Sequence, residues 1–368
     1  MIENLALYRK YRPQGFDEII GQEHVTKTLQ NSIASGSISH AYLFSGPRGS
    51  GKTTMARIFA KAVNCTAVSG AKPCNKCDSC LEITQGKAMD LVEIDAASHT
   101  GVDEVRELIE GIKFSPVKSR YKVFIIDECH QLSKAASNAL LKTLEEPPAH
   151  AIFILATTEA HKMIPTIISR CQRFDFKRLH VPEIIEKLDF IAKKEKVKFE
   201  EAALSLIALN ARGSFRDAES LLDKCISFSG GDKVVTLQEI KDLLGIVEVS
   251  QISHFVGLIL EKKAKEAVLF LNSLVDAGVD LGEFAKTLIF YLRQALLMKI
   301  HADLVDAKTS GLSKEELLTM KAQIEKMSEK DIKNMLELFI GAENTMKYAT
   351  ILQLPLELAV VDLTQEKS

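Results

Sequence analysis

Tryptophan is absent, tyrosine occurs six times, and aromatic residues make up 6% of the 368-residue chain. A platform on which successive bases stack needs flat side chains in number, so that mode of nucleic-acid binding is a poor expectation. Charge of one sign is missing too: 47 Lys and Arg face 49 Asp and Glu, for a formal net charge of -2. The balance excludes histone-like binding by bulk charge and leaves room for a local basic patch facing DNA. No apolar run approaches the ~18 residues of a membrane span. The opening Met1-Ile2-Glu3-Asn4 has no basic region followed by a long apolar stretch, so no signal peptide and no membrane partner are expected. The expected location is cytoplasmic, where thiols stay reduced. The seven cysteines then argue for metal ligation or free thiols rather than disulfides. No internal repeat and no low-complexity tract interrupts the sequence.

What is present is 46% hydrophobic residues, ample for several cores. A prior of roughly 100–200 residues per domain gives two or three domains. Short apolar runs predict buried strands at Ala41-Tyr42-Leu43-Phe44, Leu91-Val92-Glu93-Ile94, Val123-Phe124-Ile125-Ile126 and Ile152-Phe153-Ile154-Leu155. Arg173-Phe174-Asp175-Phe176 alternates and suits a fifth. Amphipathic stretches at 105–114 and 135–144 lie between them, which implies a parallel sheet covered on both faces. Ligands of such sheets sit at the carboxyl ends of the strands.

Beyond about residue 178 the strand signals stop. Helical spacing of apolar residues predicts helices over 182–196, 200–212 and 216–228, then a short one over 237–244 that ends at Gly245. Further helices are expected over 255–260, 264–277, 281–300, 313–327 and 330–349. The expected organisation is an α/β domain over 1–178, a small helical domain over 179–245 and a second helical domain over 246–368.

Gly46-Pro47-Arg48-Gly49-Ser50-Gly51-Lys52-Thr53 fits G-x-x-x-x-G-K-[ST] in full. Glycines at Gly46, Gly49 and Gly51 let the backbone curl so that N–H groups, those of Ser50 and Thr54 among them, face a phosphate. Lys52 adds a point charge for the β and γ phosphates, and the Thr53 hydroxyl suits Mg²⁺. The helix starting near Lys52 points its positive end at the same anion. A strand before and a helix after make a chance glycine turn the weaker reading. Ile125-Ile126-Asp127-Glu128 closes another strand. Asp127 is placed to hold Mg²⁺ through water, and Glu128 to polarise an attacking water. Orienting water and metal is most of what phosphoryl transfer asks of a protein. Thr157-Thr158 closes the strand at 151–156. Either it is a β-branched strand end, or a hydroxyl there touches the γ-phosphate or the water.

Cys65, Cys74, Cys77 and Cys80 follow C-x8-C-x2-C-x2-C. Four thiolates suit a closed, structural Zn²⁺ site in a knuckle over 65–80. An iron–sulfur cluster and an idle set of thiols are the alternatives. Lys72 and Lys76 within it read as solvated charges. Arg170, in Ser169-Arg170-Cys171, and Arg216, in Gly213-Ser214-Phe215-Arg216-Asp217, are candidates to stabilise charge on a transferring phosphate. A plain surface charge is an equal reading of each.

These motifs occur in order with Tyr8-Arg9-Lys10-Tyr11-Arg12-Pro13, Gly21-Gln22-Glu23 and Leu140-Leu141-Lys142-Thr143-Leu144-Glu145-Glu146-Pro147-Pro148. The set, with the four cysteines, resembles the AAA+ clamp-loader ATPases of the bacterial DNA polymerase III tau/gamma family. The resemblance is dense over 4–245 and thinner beyond. It implies an AAA+ domain, a helical lid and a helical collar that joins subunits into a ring. It implies ATP, Mg²⁺ and structural Zn²⁺ as cofactors. The implied partners are delta and delta prime subunits, further copies of the chain, a sliding clamp and primer–template DNA, in DNA replication. By motif position Thr158 matches sensor 1, Arg216 sensor 2 and Arg170 an arginine finger acting on a neighbour's ATP. Tyr8, Arg12 and Pro13, with Ile20, match the adenine-side segment. A delta prime subunit also resembles the chain but typically lacks a working P-loop, and this one is intact. Two other functions compete: a branch-migration helicase subunit, and a nucleotide-gated scaffold that barely hydrolyses ATP. The helix over 135–144 is a candidate clamp contact, though packing on the sheet is the simpler use of its apolar face.

Overall fold

A computed structural model describes residues 5–67, 71–98, 110–112, 114–229, 234–245, 247–301 and 314–365. Two compact units, Met1–Leu237 and Gln238–Ser368, each carry a core.

In the first unit the five apolar runs are strands: β1 Ala41–Ser45, β2 Leu91–Asp95, β3 Lys122–Asp127, β4 Ala151–Thr157 and β5 Gln172–Asp175. They form one parallel sheet in the order β2-β3-β4-β1-β5. The unbroken apolar runs of β1 and β4 follow from their inner positions, where both faces are covered. β5 lies at the edge and alternates, with only Phe174 buried. Successive side chains point to opposite faces. Tyr42, Phe44, Ile125 and Ile154 therefore join Met55 and Phe59 in one core, with the Tyr42 and Phe59 rings 4.8 Å apart edge to face. Leu43, Phe124, Ile126, Phe153 and Leu155 form the other. The Lys134–Glu145 helix is capped at Ser133, whose Oγ accepts from Ala136 N–H at 3.2 Å. It buries Ala136, Leu140 and Leu144 in that second core. The helix expected over 105–114 falls largely outside the described residues.

Three helices, Val181–Lys194, Glu201–Asn210 and Phe215–Ser229, form a small bundle after the sheet. Pro182 sits in the first turn of its helix, where a missing N–H breaks no bond. Gln22, fully buried, clasps the connection: its Nε2 donates to Lys177 O at 2.8 Å, and its Oε1 accepts from Lys177 N–H at 3.1 Å.

The second unit is helical: Val249–Leu260, Ala264–Asp276, Leu281–Ile300, Lys314–Glu325, Glu329–Met346 and Leu354–Thr364. Its core includes Phe255, Phe284, Leu288, Leu292, Phe339 and Leu356. Two features differ from the sequence reading. The first helix starts six residues before the expected 255, and the last one was not expected. The latter reads Leu354-Pro355-Leu356-Glu357-Leu358-Ala359-Val360-Val361, too evenly apolar to show a helical period.

Candidate functional site

The register of the sheet assembles the site. Ser45 of β1 stands beside Thr157 of β4, and Asp95 of β2 beside Asp127 of β3, so the phosphate loop and both acids share the carboxyl edge. After Ser45 the chain turns through Gly46 to Gly51, and the Lys52–Val63 helix begins. Gly49 has φ +74°, and a Cβ there would lie 1.9 Å from Ser214 Oγ. Only glycine lets the loop pass this close to the start of the Phe215–Ser229 helix. Phe215 N–H donates to Gly49 O at 3.3 Å across the same contact.

Lys52 is 6% exposed, and its Nζ donates to the carbonyls of Gly46 at 2.8 Å and Pro47 at 2.9 Å. Burial pulls its ammonium below the usual lysine range, opposed by the Glu128 and Asp127 carboxylates. Thr53 Oγ1 donates to Asp127 Oδ2 at 2.6 Å. A hydroxyl and a carboxylate brought this close can share a hard cation. Asp127 Oδ1 accepts from Glu128 N–H at 3.0 Å.

Glu128 has φ +45°, a left-handed backbone rare outside glycine. The turn aims its carboxylate at β4: Glu128 Oε2 accepts from Thr158 Oγ1 at 2.8 Å and from Thr158 N–H at 3.2 Å. His130 backs this pair. Its Nδ1 is 3.0 Å from Thr157 Oγ1 and 3.4 Å from Glu128 Oε2, and its Nε2 is 3.1 Å from Glu159 Oε2. Sequence reasoning missed His130. It lies two residues past Glu128, but the β4 end that gives it a purpose is remote in sequence.

These groups line one cavity of about 620 Å³, a size that suits a nucleotide-scale ligand. Gly49, Ser50, Gly51, Lys52, Thr53 and Thr54 line one end, with Asp127, Glu128 and Thr158. Tyr8, Arg12, Pro13 and Ile20 line the cavity too, as does Arg216, one residue past the Phe215–Gly49 contact, whose guanidinium lies 5.1 Å from the Tyr8 ring centroid. Gly46 contributes its carbonyl to Lys52 rather than a cavity wall. Ile19, Lys187 and Glu219 also line the cavity and went unnoticed in the sequence. Each carries no motif and is brought there only by folding.

Arg170 stands apart from this cavity. Its Nη2 donates to Glu145 Oε1 at 2.6 Å and its Nη1 to Thr166 O at 2.8 Å. The four cysteines form a second centre, with sulfurs within 4.8 Å of one another. Zn–S bonds of about 2.3 Å in a tetrahedron put sulfurs about 3.8 Å apart, so the set fits a four-thiolate ion. N–H groups of Lys76 and Cys77 point at Cys74 Sγ from 3.4 and 3.3 Å and hold that thiol below its ordinary range. Among the described residues no helix is long and apolar enough to cross a membrane.

Comparison with known proteins agrees with this geometry. A family model described as DNA polymerase III, delta subunit, matches residues 21–180. One described as DNA polymerase III clamp loader subunit, ATPase lid domain, matches 183–231. One described as DNA polymerase III subunits gamma and tau domain III matches 235–368. The chain is 45% identical over 360 residues to DNA polymerase III subunit tau of Bacillus subtilis, covering 98% of this chain and 63% of that one. It is 45% identical over 275 residues to the tau subunit of Escherichia coli, covering 75% of this chain and 42% of that one. It therefore spans less than two thirds of the length of these tau relatives. It is 37% identical to DNA polymerase III subunit gamma of Buchnera aphidicola, covering 96% of this chain and 97% of that one. The parallel sheet, the lid match and the gamma and tau domain fit the AAA+ clamp-loader layout, and the chain belongs to the DNA polymerase III gamma/tau family.

Proposed function

We propose that the chain is an ATP-hydrolysing motor subunit of a replicative clamp loader, in which ATP binding and hydrolysis drive the opening of a sliding clamp and its loading onto primed DNA. The observation that carries the reading is the hydrogen-bonded line from Thr53 through Asp127 to Glu128 and Thr158, at the mouth of a complete phosphate loop. Lys52 and the loop N–H groups hold the phosphates. Thr53 and Asp127 hold Mg²⁺, which when bound neutralises charge on the transferring phosphoryl group. Glu128 orients the attacking water, Thr158 positions Glu128 as sensor 1, and Arg216 serves as sensor 2. Tyr8, Arg12, Pro13 and Ile20 face the nucleoside. Arg170, turned away from its own cavity, acts on the ATP of a neighbouring subunit. Cys65, Cys74, Cys77 and Cys80 hold a structural Zn²⁺.

The three-part organisation, 1–178, 179–245 and 246–368, belongs to the same reading as motor, lid and collar. Its partners are delta and delta prime, further copies of the chain, a sliding clamp and primer–template DNA. The test is reconstitution. The purified chain with delta and delta prime should load a sliding clamp onto primed DNA, with ATPase that rises when primed DNA is added. ATPase indifferent to clamp and partners would favour another DNA motor, such as a branch-migration subunit. Tight ATP binding without turnover would favour a nucleotide-gated scaffold.

A further inference from the structure

One acid in the cavity has no part in the phosphate chemistry. Glu219 is 6% exposed. It sits on the Phe215–Ser229 helix one turn beyond Arg216 and lines the same cavity. The charges it feels are those of Lys187 and Arg12, which line the same cavity. Among the described residues no hydrogen bond or ion pair closes on its carboxyl group. Glu18, another acid of the lining, already accepts from Gln14 N–H at 3.0 Å. The Glu219 carboxylate is not sealed off like the unpartnered His40 Nε2 and Ser79 Oγ but opens on the cavity, so its donor comes from whatever fills that space. Pro13, Ile19, Ile20 and the Tyr8 ring line the same cavity and suit a flat heterocycle. The Phe215–Ser229 helix meets the phosphate loop at Phe215 and Glu219 lies one turn further along, so with phosphates on the loop the nucleoside is the part of a nucleotide offered to it.

We propose that Glu219 reads the base: its carboxylate accepts a hydrogen bond from the exocyclic amine of adenine and so sets the preference of the site for a 6-aminopurine. The proposal rests on the cavity being a nucleotide site. Burial pushes Glu219 up to about 7, with Lys187 and Arg12 opposing. The charged groups around it are Lys187 from the Val181–Lys194 helix, Arg12 and Glu18 from the N-terminal segment, and Arg216 from its own helix. A carboxylate is a better acceptor than its acid, so the preference should weaken as pH falls below that value.

The experiment is equilibrium titration of the full chain with three ligands. These are ATP, purine riboside triphosphate (hydrogen in place of the amine) and 2′-deoxy-ATP. Wild type should prefer ATP over the amine-free analogue by about tenfold, the worth of one hydrogen bond to a charged group. Glu219→Leu should bring that ratio to about one and leave the ratio of ATP to 2′-deoxy-ATP unchanged. Glu219→Gln keeps an oxygen acceptor and should retain part of the preference. A wild-type ratio near one, or a ratio that survives Glu219→Leu, overturns the proposal. So does a loss confined to the 2′-deoxy comparison. If Glu219→Leu does not fold, the wild-type ratio, its pH dependence and the Gln variant still decide. Failure of the underlying reading looks different: either no triphosphate binds wild type, or Lys52→Ala binds all three as well as wild type does.

Discussion

At the scale of single residues, the state of Glu128 is set by its neighbour. The left-handed turn at φ +45° and the two bonds from Thr158 hold its carboxylate toward the end of β4. Glu128→Gln keeps shape and loses basicity, so ATP and Mg²⁺ should still bind while hydrolysis slows by about 10²–10⁴. Thr158→Val should slow it less, because the backbone N–H still reaches Glu128. Single-turnover hydrolysis alongside a binding titration checks both, and unchanged turnover in Glu128→Gln removes it as the water-orienting group. Glu219 supplies a second prediction, on stability. Its folded value of about 7 lies above the ordinary 4.5. The folded state therefore binds the proton more tightly than the unfolded chain. That stabilisation is complete below about pH 4.5 and lost as pH rises through about 7, on the order of 3 kcal/mol. Urea unfolding at pH 5 and pH 8 should show wild type losing this increment and Glu219→Gln not losing it. The phosphate loop was legible in sequence because its chemistry is contiguous. Glu219 and His130 were not, because their meaning comes from groups that only folding brings near.

Elements were legible where burial leaves a period or an unbroken run. The inner strands β1, β3 and β4 were, since strands covered on both faces must be apolar throughout. β2, expected as buried, lies at one edge and is only partly covered; β5, at the other edge, was legible by its alternation. The Leu354–Thr364 helix was not, because an evenly apolar helix has no polar face to mark its turn. The helices Glu23–Ser35 and Asp78–Gln85 were missed as well, each with only two buried apolar positions to announce it. The short Pro165–Ile168 helix and the Lys134–Glu145 helix together hold Arg170, through Thr166 O and Glu145. That anchorage outside its own cavity leads to a mixing prediction. Arg170→Ala should keep ATP affinity yet lose hydrolysis by about 10³–10⁵, the range for arginine fingers. Mixing it with Lys52→Ala chains, each inactive alone, should restore some ATPase, once subunit exchange is verified by mass. No recovery in verified mixed rings would mean that the arginine acts within its own chain. For the cysteine knuckle, elemental analysis should find about one zinc per chain. A strong chelator should lower the melting temperature without abolishing nucleotide binding at low temperature. Iron in place of zinc would assign a different cluster.

At the scale of the whole molecule, the phosphate loop and all seven cysteines lie in the unit Met1–Leu237, and the unit Gln238–Ser368 holds a separate helical core. Removing residues after about 245 should leave a folded module that binds ATP and no longer assembles. Tyr348, Ile351, Leu354 and Leu358 are exposed apolar groups on the removed part. Light scattering showing an unchanged oligomer would refute the second half. The close pass of Gly49 against Ser214 gives the first unit a mechanical property. The Phe215–Ser229 helix has its base resting on the phosphate loop, and its 15 residues make a rod about 22 Å long at 1.5 Å per residue. A tilt of about 5° at that base carries the far tip through about 2 Å. The loop and the helix thus have the geometry of a lever with its fulcrum at the phosphate loop, in which a small displacement at the base is larger at the tip.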